Sequence, residues 1–162
     1  EFGCLLTHLN YDSCIDIHHE LYKDLTTLIY GRGCPRPIYK GSSAKVILAH
    51  LPKQRVLDYY RRFVTELSEV GFAHSEEEFL LQMKQIKKQG YYFSSGEVDP
   101  NLASFSIPVK FSAKEPPLAL TLLGSKNRFE FTNFQKLIEI LRDNASLIEK
   151  KFMTLTHQED IF

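Results

Sequence analysis

Alternating apolar and polar residues predict two paired strands in the second half of the chain. In residues 104–111 every second residue is apolar: Phe105, Ile107, Val109 and Phe111. The residues between them are mostly polar: Ser104, Ser106, Pro108 and Lys110. A period of two is typical of a strand with one face in the core, so the other face carries hydroxyl groups. Residues 118–123 also alternate, and the polar, proline-ended connection at 112–117 predicts an antiparallel hairpin.

The predicted hairpin brings several hydroxyl groups close together. Ser104 and Thr121 share one face of the sheet when the two strands pair. Ser94 and Ser95 lie in the loop that enters the first of these strands. A small polar pocket is therefore expected beneath this loop.

The N-terminal part of the chain predicts further strands. Two short runs, 4–9 and 13–19, are divided by the turn-like sequence Asn10-Tyr11-Asp12 and predict a hairpin. Residues 25–30 predict a third strand, which ends at a pair of glycines at 31 and 33. Residues 34–37 contain two prolines, each of which disfavours helix in the residue before it, so a constrained loop is expected there.

Helical periodicity dominates the middle and the end of the chain. Residues 44–51 predict a short apolar helix with a preceding serine as its N-cap, and residues 56–70 predict one amphipathic helix. The capping box that starts at Ser75 predicts a third helix up to Gly90, and the box that starts at Thr132 predicts a long terminal helix after a polar link. This order of elements indicates an α+β domain, with helices packed against a mainly antiparallel sheet.

Composition limits the classes of function. The 162 residues fit one domain, and lysine plus arginine equals aspartate plus glutamate at 20 each, so the chain has no net positive field to hold nucleic acid phosphates. Three separated cysteines without a CxxC pair indicate reduced thiols in a cytoplasm. No apolar run has the length of a membrane span, and no signal peptide is apparent, so we expect a cytoplasmic protein without a membrane partner. The chain does not begin with methionine and is expected to be part of a longer protein.

The sequence offers few candidates for catalysis or metal binding. His18 and His19 are adjacent and point to opposite faces of a strand, so no metal site is expected. No cofactor is expected either, because the glycine and lysine at 41 and 45 lack the spacing of a phosphate loop. The amides at the start of the helix and the hydroxyls of Ser42 and Ser43 can form an anion site, although a serine there can equally serve only as a helix cap.

Three segments carry a resemblance to one family. They are GRGCPRPIYKGSSAKVILAHLP, KKQGYYFSSGEVDPNLASFSIPV and PLALTLLG. In this order they resemble three signatures of the C-terminal effector-binding domain of IclR-type bacterial transcriptional regulators. The match runs from about residue 33 to the terminal helix and covers most of the chain.

This resemblance implies a fold and an assembly. The fold is a GAF-like (profilin-like) domain, in which a curved, mainly antiparallel sheet is flanked by helices and a pocket holds a small organic effector. Members of the family also carry an N-terminal winged helix-turn-helix that binds DNA, and they assemble as homodimers or homotetramers. The expected organisation is therefore a single effector-binding domain over residues 1–162, with the DNA-binding domain before Glu1.

The resemblance also implies which residues line the pocket. By position they are Leu25, Ser42, Ser43, Ser94, Leu102, Ser104, Thr121 and Leu123. The chain departs from the usual family residues at four positions: Ser94 replaces aspartate, Leu123 replaces serine, Asn101 replaces glycine and Ala44 replaces glycine. These departures predict either a ligand different from the small keto acids known for some members, or a partly degenerate pocket.

The leading hypothesis is a ligand-sensing domain of a transcriptional regulator without catalytic activity. The expected ligand is a small organic acid or a similarly polar metabolite, held between the start of the first helix and the strand hydroxyls. The isolated chain is expected to bind no specific DNA and to self-associate. Two alternatives remain: a GAF-like enzyme with a reactive cysteine, and a purely structural dimerisation domain.

Overall fold

The computed structural model describes residues 2–22 and 28–159. Within these residues six strands form one antiparallel, curved sheet in the order β3-β2-β1-β6-β5-β4. The strands are β1 (Gly3–Asn10), β2 (Ser13–Glu20), β3 (Pro35–Pro37), β4 (Tyr92–Ser95), β5 (Leu102–Val109) and β6 (Leu118–Ser125). Because β1 pairs with β6, the N-terminal hairpin and the C-terminal hairpin form a continuous sheet.

Both predicted hairpins are confirmed. β1 and β2 are antiparallel and are joined by a turn in which Tyr11 has a φ of 49°. β5 and β6 are also antiparallel, and their register sets Ser106 opposite Thr121 and Ser104 opposite Leu123. The expectation that Ser104 and Thr121 share one face is therefore correct, because directly opposed residues lie on the same side of a sheet.

The predictions for the short edge strands were wrong. Residues 34–37, expected to form a loop, contain β3, which a proline-flanked segment can form because β3 lies at the sheet edge. Ser94 and Ser95, expected in a polar turn, lie in β4 and pair with Ser104 and Ala103 of β5. Half of the predicted third strand, residues 25–27, lies outside the described residues, and residues 28–30 are not in a strand.

Six helices lie in the described residues. They are α1 (Ser42–Ala49), α2 (Lys53–Arg62), α3 (Val64–Glu69), α4 (Glu76–Gln89), α5 (Lys126–Glu130) and α6 (Phe134–Glu159). The predicted start and end of α4 are confirmed: the Ser75 side chain accepts a hydrogen bond from the Glu78 amide, and Gly90 follows in a left-handed conformation. No helix in the described part of the chain is both long and apolar enough to cross a bilayer.

Other helix boundaries differ from the predictions. The helix predicted at 56–70 is divided into α2 and α3 at Phe63, which has φ −123° and ψ 24° and packs against the rings of Tyr39 and Tyr59. α5 occupies part of the predicted polar link. α6 is capped by the Asn133 side chain, which accepts from the Lys136 amide at 3.2 Å, and not by Thr132.

Helices cover both faces of the sheet. On one face, Phe105, Ile107 and Val109 of β5 pack with residues of α5 and α6 in a single apolar cluster. On the other face, α1 lies against β5, β6 and β4, and every residue of α1 is buried. The hydroxyl face of β5 is thus not solvent-exposed: Ser106 and Thr121 are 0% and 1% exposed.

Candidate functional site

A cavity of about 70 Å³ lies between the start of α1 and the hydroxyl face of the sheet. The predicted site residues that line this cavity are Ser42, Ser43, Ser94, Leu102, Ser104, Thr121 and Leu123. Leu25, the remaining predicted residue, lies outside the described residues. The fold therefore brings together side chains that are far apart in the sequence, and their binding of a ligand stays a prediction.

The serines at the start of α1 do not cap the helix, contrary to the expectation of a serine N-cap. Gly41 is the N-cap residue, with φ 85°, a value that favours glycine. The Ser42 hydroxyl instead reaches the sheet, where it donates to Ser104 Oγ at 2.7 Å and lies 2.6 Å from Ser106 Oγ. The hydroxyls of these residues therefore connect the first turn of α1 to the middle of β5.

A continuous chain of five hydroxyl groups follows from these contacts. Ser106 Oγ lies 2.6 Å from Thr121 Oγ1, and Ser94 Oγ lies 3.2 Å from Ser104 Oγ. Each hydroxyl has one proton, and Ser42 donates its proton to Ser104. The bond between Ser42 and Ser106 must therefore use the proton of Ser106, and the bond between Ser106 and Thr121 must use the proton of Thr121. The bond between Ser94 and Ser104 needs only one of the two protons that these residues carry. One hydroxyl proton, on Ser94 or Ser104, remains for an acceptor in the cavity.

The cavity also has an apolar wall. It is formed by Leu5 of β1, Leu28, Ile29, Val98, Leu102 of β5 and Leu123 of β6. Leu123, one of the departures that the resemblance indicated, contributes to this wall. The combination of apolar side chains with a few directed polar groups is typical of sites for small organic molecules.

Arg36 and Asp16 form a buried polar cluster at the cavity that the sequence analysis missed. Arg36 Nη2 donates to Asp16 Oδ1 at 3.1 Å, to Thr7 Oγ1 at 3.2 Å and to Ser43 Oγ at 2.5 Å. Thr7 in turn donates to Asp16 Oδ1 at 2.7 Å. Both charged residues line the cavity, so its polar side contains an ion pair besides the hydroxyls.

Asp16 points inward because it alternates in phase with buried Cys14 from the β1–β2 turn onward, and a β-bulge follows it in β2. The register of β1 and β2 pairs Leu6 with His18 but Thr7 with Asp16, so Ile17 is the extra residue. The side chains of Asp16 and Ile17 alternate, so Ile17 is 47% exposed while Asp16 is 3% exposed. The bulge changes the phase only of the residues that follow it. One feature of the sequence could have indicated a special role for Arg36. It lies between two prolines, which restrict the backbone around it.

Glu97 connects the loop after β4 to the start of α1. Its Oε2 accepts from the Gly41 amide at 3.0 Å and pairs with Lys45 Nζ. The Lys45 ammonium also lies 4.4 Å from the ring centre of Phe72 and 5.4 Å from that of Tyr92. Burial holds the pKa of Lys45 below its usual range, although Glu97 opposes this shift. A carboxylate of the chain itself thus already lies at the N-terminus of α1.

The described residues do not provide a metal site, and burial raises the pKa of two of the three cysteine thiols. No group of three or more histidine, cysteine or acidic side chains in the described ranges could hold a metal ion. Cys14 is buried, and this burial raises the pKa of its thiol to about 11. Burial also raises the pKa of Cys4, with a smaller contribution from Glu20, whereas Cys34 is exposed.

A second cavity, of about 330 Å³, lies between the β1–β2 turn and α2. It is lined by Tyr11, Asp12, Arg55, Asp58, Tyr59 and Arg62. Tyr59 of α2 is only 5% exposed, and its hydroxyl donates to the Tyr11 carbonyl. Tyr59 therefore packs within the domain and provides no surface for another copy.

Comparison with known proteins identifies the family to which the chain is similar. Residues 3–150 match the family described as "Bacterial transcriptional regulator IclR C-terminal". The HTH-type transcriptional regulator KipR of Bacillus subtilis is 26% identical over 117 residues, which are 71% of this chain and 46% of KipR. The chain thus spans about half the length of this curated relative.

Two solved structures illustrate the similarity of the fold. A putative transcriptional regulator from Rhodococcus sp. RHA1 superposes with a TM-score of 0.80 at 19% identity, covering 95% of this chain and 63% of that one. The inducer-binding domain of a PobR double mutant from Acinetobacter, in complex with 3-hydroxybenzoic acid, superposes with a TM-score of 0.73 at 18% identity, covering 91% and 87%. At these identities the structures show a common fold.

Proposed function

Because this chain belongs to the family of IclR-type C-terminal domains of bacterial transcriptional regulators, we propose that it senses a small organic acid or similarly polar metabolite. The effector lies in the cavity beneath the start of α1. Its binding changes the affinity of the whole regulator for DNA, which requires different affinities of the effector for two states of the protein. DNA is bound by an N-terminal winged helix-turn-helix domain outside this chain.

The observation that carries this proposal is the hydroxyl chain with its unused proton. Ser94 or Ser104 can donate this proton to a ligand acceptor placed in the cavity. The apolar wall opposite the hydroxyls favours a ligand with a hydrocarbon part. The carboxylic acid bound to the PobR domain, which has a similar fold, supports an acid as the ligand class.

Loss of the cavity hydroxyls is expected to weaken effector binding. We expect Ser104→Ala to lower affinity about ten- to a hundredfold, because a hydrogen bond to a charged group contributes about 1.5–3 kcal/mol. Thr121→Val is expected to lower affinity by less, because Thr121 donates its proton to Ser106 and acts on the ligand only through the hydroxyl chain. The stability of the fold should change little, because the hydrogen bond between Ser42 and Ser106 remains in both variants. A thermal-shift screen of metabolites finds the ligand, and titration calorimetry measures its affinity.

Ser95→Ala is the matched control for these variants. Ser95 also lies in β4, but it is exposed and does not line the cavity. Its replacement is expected to leave affinity unchanged. If both cavity variants bind the effector as tightly as the unmodified protein does, the site is placed wrongly.

Cysteine labelling tests the proposal that the domain is not an enzyme. At pH 7.5 a thiol-specific probe is expected to modify exposed Cys34 at the rate of a simple peptide thiol. Cys14 is expected to react only after unfolding, because burial keeps its thiol protonated and inaccessible. Mass spectrometry of the labelled peptides measures both rates. A single cysteine that reacts a hundredfold faster than a peptide thiol would instead support a nucleophilic enzyme.

The remaining parts of the proposal concern the whole protein. We place it in the cytoplasm, where a bacterial regulator meets DNA, and as a homodimer or homotetramer through surfaces other than Tyr59. The charge-balanced domain alone is expected to show no sequence-selective DNA binding at physiological salt.

A further inference from the structure

We propose that Arg36 and Asp16 determine which effector binds, and that it is a short-chain acid with a hydroxyl or amino group next to its carboxylate. This inference rests on the effector-binding function proposed above. It starts from two buried, oppositely charged side chains that line the cavity and use only part of their hydrogen-bonding capacity.

Arg36 has unused donors that face accessible space. The side chain is 6% exposed, and all of its hydrogen bonds to described residues are made by Nη2. Nη1 and Nε therefore have no partner among these residues. In the described part of the chain, His19 Nδ1 is the one side-chain nitrogen or oxygen that is both enclosed and without a partner. Since Nη1 and Nε of Arg36 have no partner, they must therefore be partly accessible. Nη1 lies beside Gly41, 3.6 Å from the position a Cβ would take there.

Asp16 has a matching unused acceptor. It is 3% exposed, and Oδ1 takes the bonds from both Thr7 and Arg36. Oδ2 has no partner among the described residues, and it is not fully enclosed either. One side of the cavity thus presents N–H donors of a guanidinium next to a free carboxylate oxygen.

This pair of groups selects for a ligand that carries an acceptor and a donor on neighbouring atoms. A ligand carboxylate bonds to the free edge of Arg36, since guanidinium and carboxylate groups form strong charge-assisted hydrogen bonds. The same carboxylate comes close to Asp16, and a like charge at that distance is unfavourable. A hydroxyl or amino group beside the ligand carboxylate donates to Asp16 Oδ2 and removes this conflict.

The other charges and the size of the cavity are consistent with such a ligand. The charge of Glu97 is compensated by Lys45, so Glu97 does not provide a second acceptor of equal strength. Asp99, the remaining acidic residue of the cavity lining, is only partly buried, and its Oδ1 accepts from the Asn101 amide at 2.8 Å. The volume of about 70 Å³ is less than half of the roughly 150 Å³ that holds benzene in an engineered apolar cavity. An acid of a few carbon atoms therefore fits better than an aromatic acid.

Three small probes test the proposal on the unmodified protein: lactate, propionate and lactamide. Propionate lacks the hydroxyl of lactate, and lactamide lacks its charge. By titration calorimetry we expect lactate to bind at least tenfold more tightly than each of the others. Equal affinities for the three probes, or tighter binding of lactamide, would overturn the proposal.

Variants assign the two preferences to the two residues. Arg36→Gln is expected to remove the preference for lactate over lactamide, and Asp16→Asn the preference for lactate over propionate. Arg36→Lys keeps the charge but not the planar fork of donors, so it is expected to retain only part of the first preference. Arg62→Gln, at an exposed arginine outside the cavity, is the control and should retain both preferences.

The outcomes distinguish this proposal from the function on which it rests. If the lactate preferences persist in both variants, Arg36 and Asp16 serve only to hold β2 and β3 to α1. If metabolite screening finds a ligand without a carboxylate, the acid specificity is wrong and the sensing function stands. If no metabolite stabilises the domain, the sensing function and the specificity both fail.

Discussion

Replacement of Glu97 by alanine is expected to lower the free energy of unfolding by about 3–5 kcal/mol, because it leaves a buried cation without its partner. Lys45 is 1% exposed and Glu97 is 14% exposed, so water reaches their ion pair poorly. The variant also frees the Gly41 amide. The two aromatic rings near Lys45 supply only a weaker attraction than the lost carboxylate.

Urea denaturation followed by circular dichroism measures this effect. The control is Asp12→Asn, which breaks the pair between Asp12 and Arg62, both about half exposed. Solvent screens that pair, so we expect a much smaller change in stability. If the two variants lose equal stability, the Lys45–Glu97 pair does not hold the loop after β4 to α1.

The Lys45–Glu97 pair also predicts that the stability of the fold depends on pH. Burial lowers the pKa of Lys45 in the folded protein below its ordinary value of 10.5, so the folded state binds fewer protons than the unfolded state between these two pKa values. The contribution of Lys45 to stability therefore increases as pH rises through this interval. Comparison with Lys45→Met isolates this contribution, and Glu97→Gln is expected to extend the interval to lower pH.

Replacement of Phe105 by alanine is expected to lower the free energy of unfolding by about 3–5 kcal/mol. Phe105 is fully buried on the face of β5 opposite the cavity, where its ring lies 5.1 Å from that of Tyr91 and 5.9 Å from that of Phe134. Its removal leaves a void among side chains of the sheet and α6. Such a void loses both the transfer free energy and the packing contacts of the ring.

Phe131→Ala is the control for this prediction. Phe131 is 90% exposed, so its truncation should leave the urea midpoint almost unchanged. In the absence of urea, Phe105→Ala is expected to retain effector binding, because the cavity is formed by the other face of β5. A small loss of stability in Phe105→Ala would contradict the assignment of this residue to the core between the sheet and α6.

Features that depend on neighbouring residues could be predicted from the sequence. The alternation in β5 and β6 predicted their pairing and the face that carries the hydroxyls. The Ser75 cap and Gly90 predicted the limits of α4, because a cap is made by residues within one turn of the helix end. Seven of the cavity-lining residues taken from the family resemblance also lie together in the structure.

Features that depend on distant partners could not be predicted in this way. β4 is a strand because β5 offers it hydrogen bonds, although its serines read as a turn. The break between α2 and α3 occurs where Phe63 packs against Tyr39, a residue of another segment.

By itself, therefore, the sequence determined the α+β class, the two hairpins and a sheet face rich in hydroxyls, since these follow from short-range periodicity and backbone geometry. Only the tertiary structure decided what meets that face. Arg36 reaches an aspartate 20 residues away, and Lys45 reaches a glutamate 52 residues away. The register of the first hairpin places Asp16 inward and its neighbours Ile15 and Ile17 on the other face. The partner of a buried charge is a residue that the folded chain places beside it, and a local sequence pattern does not indicate which residue that is.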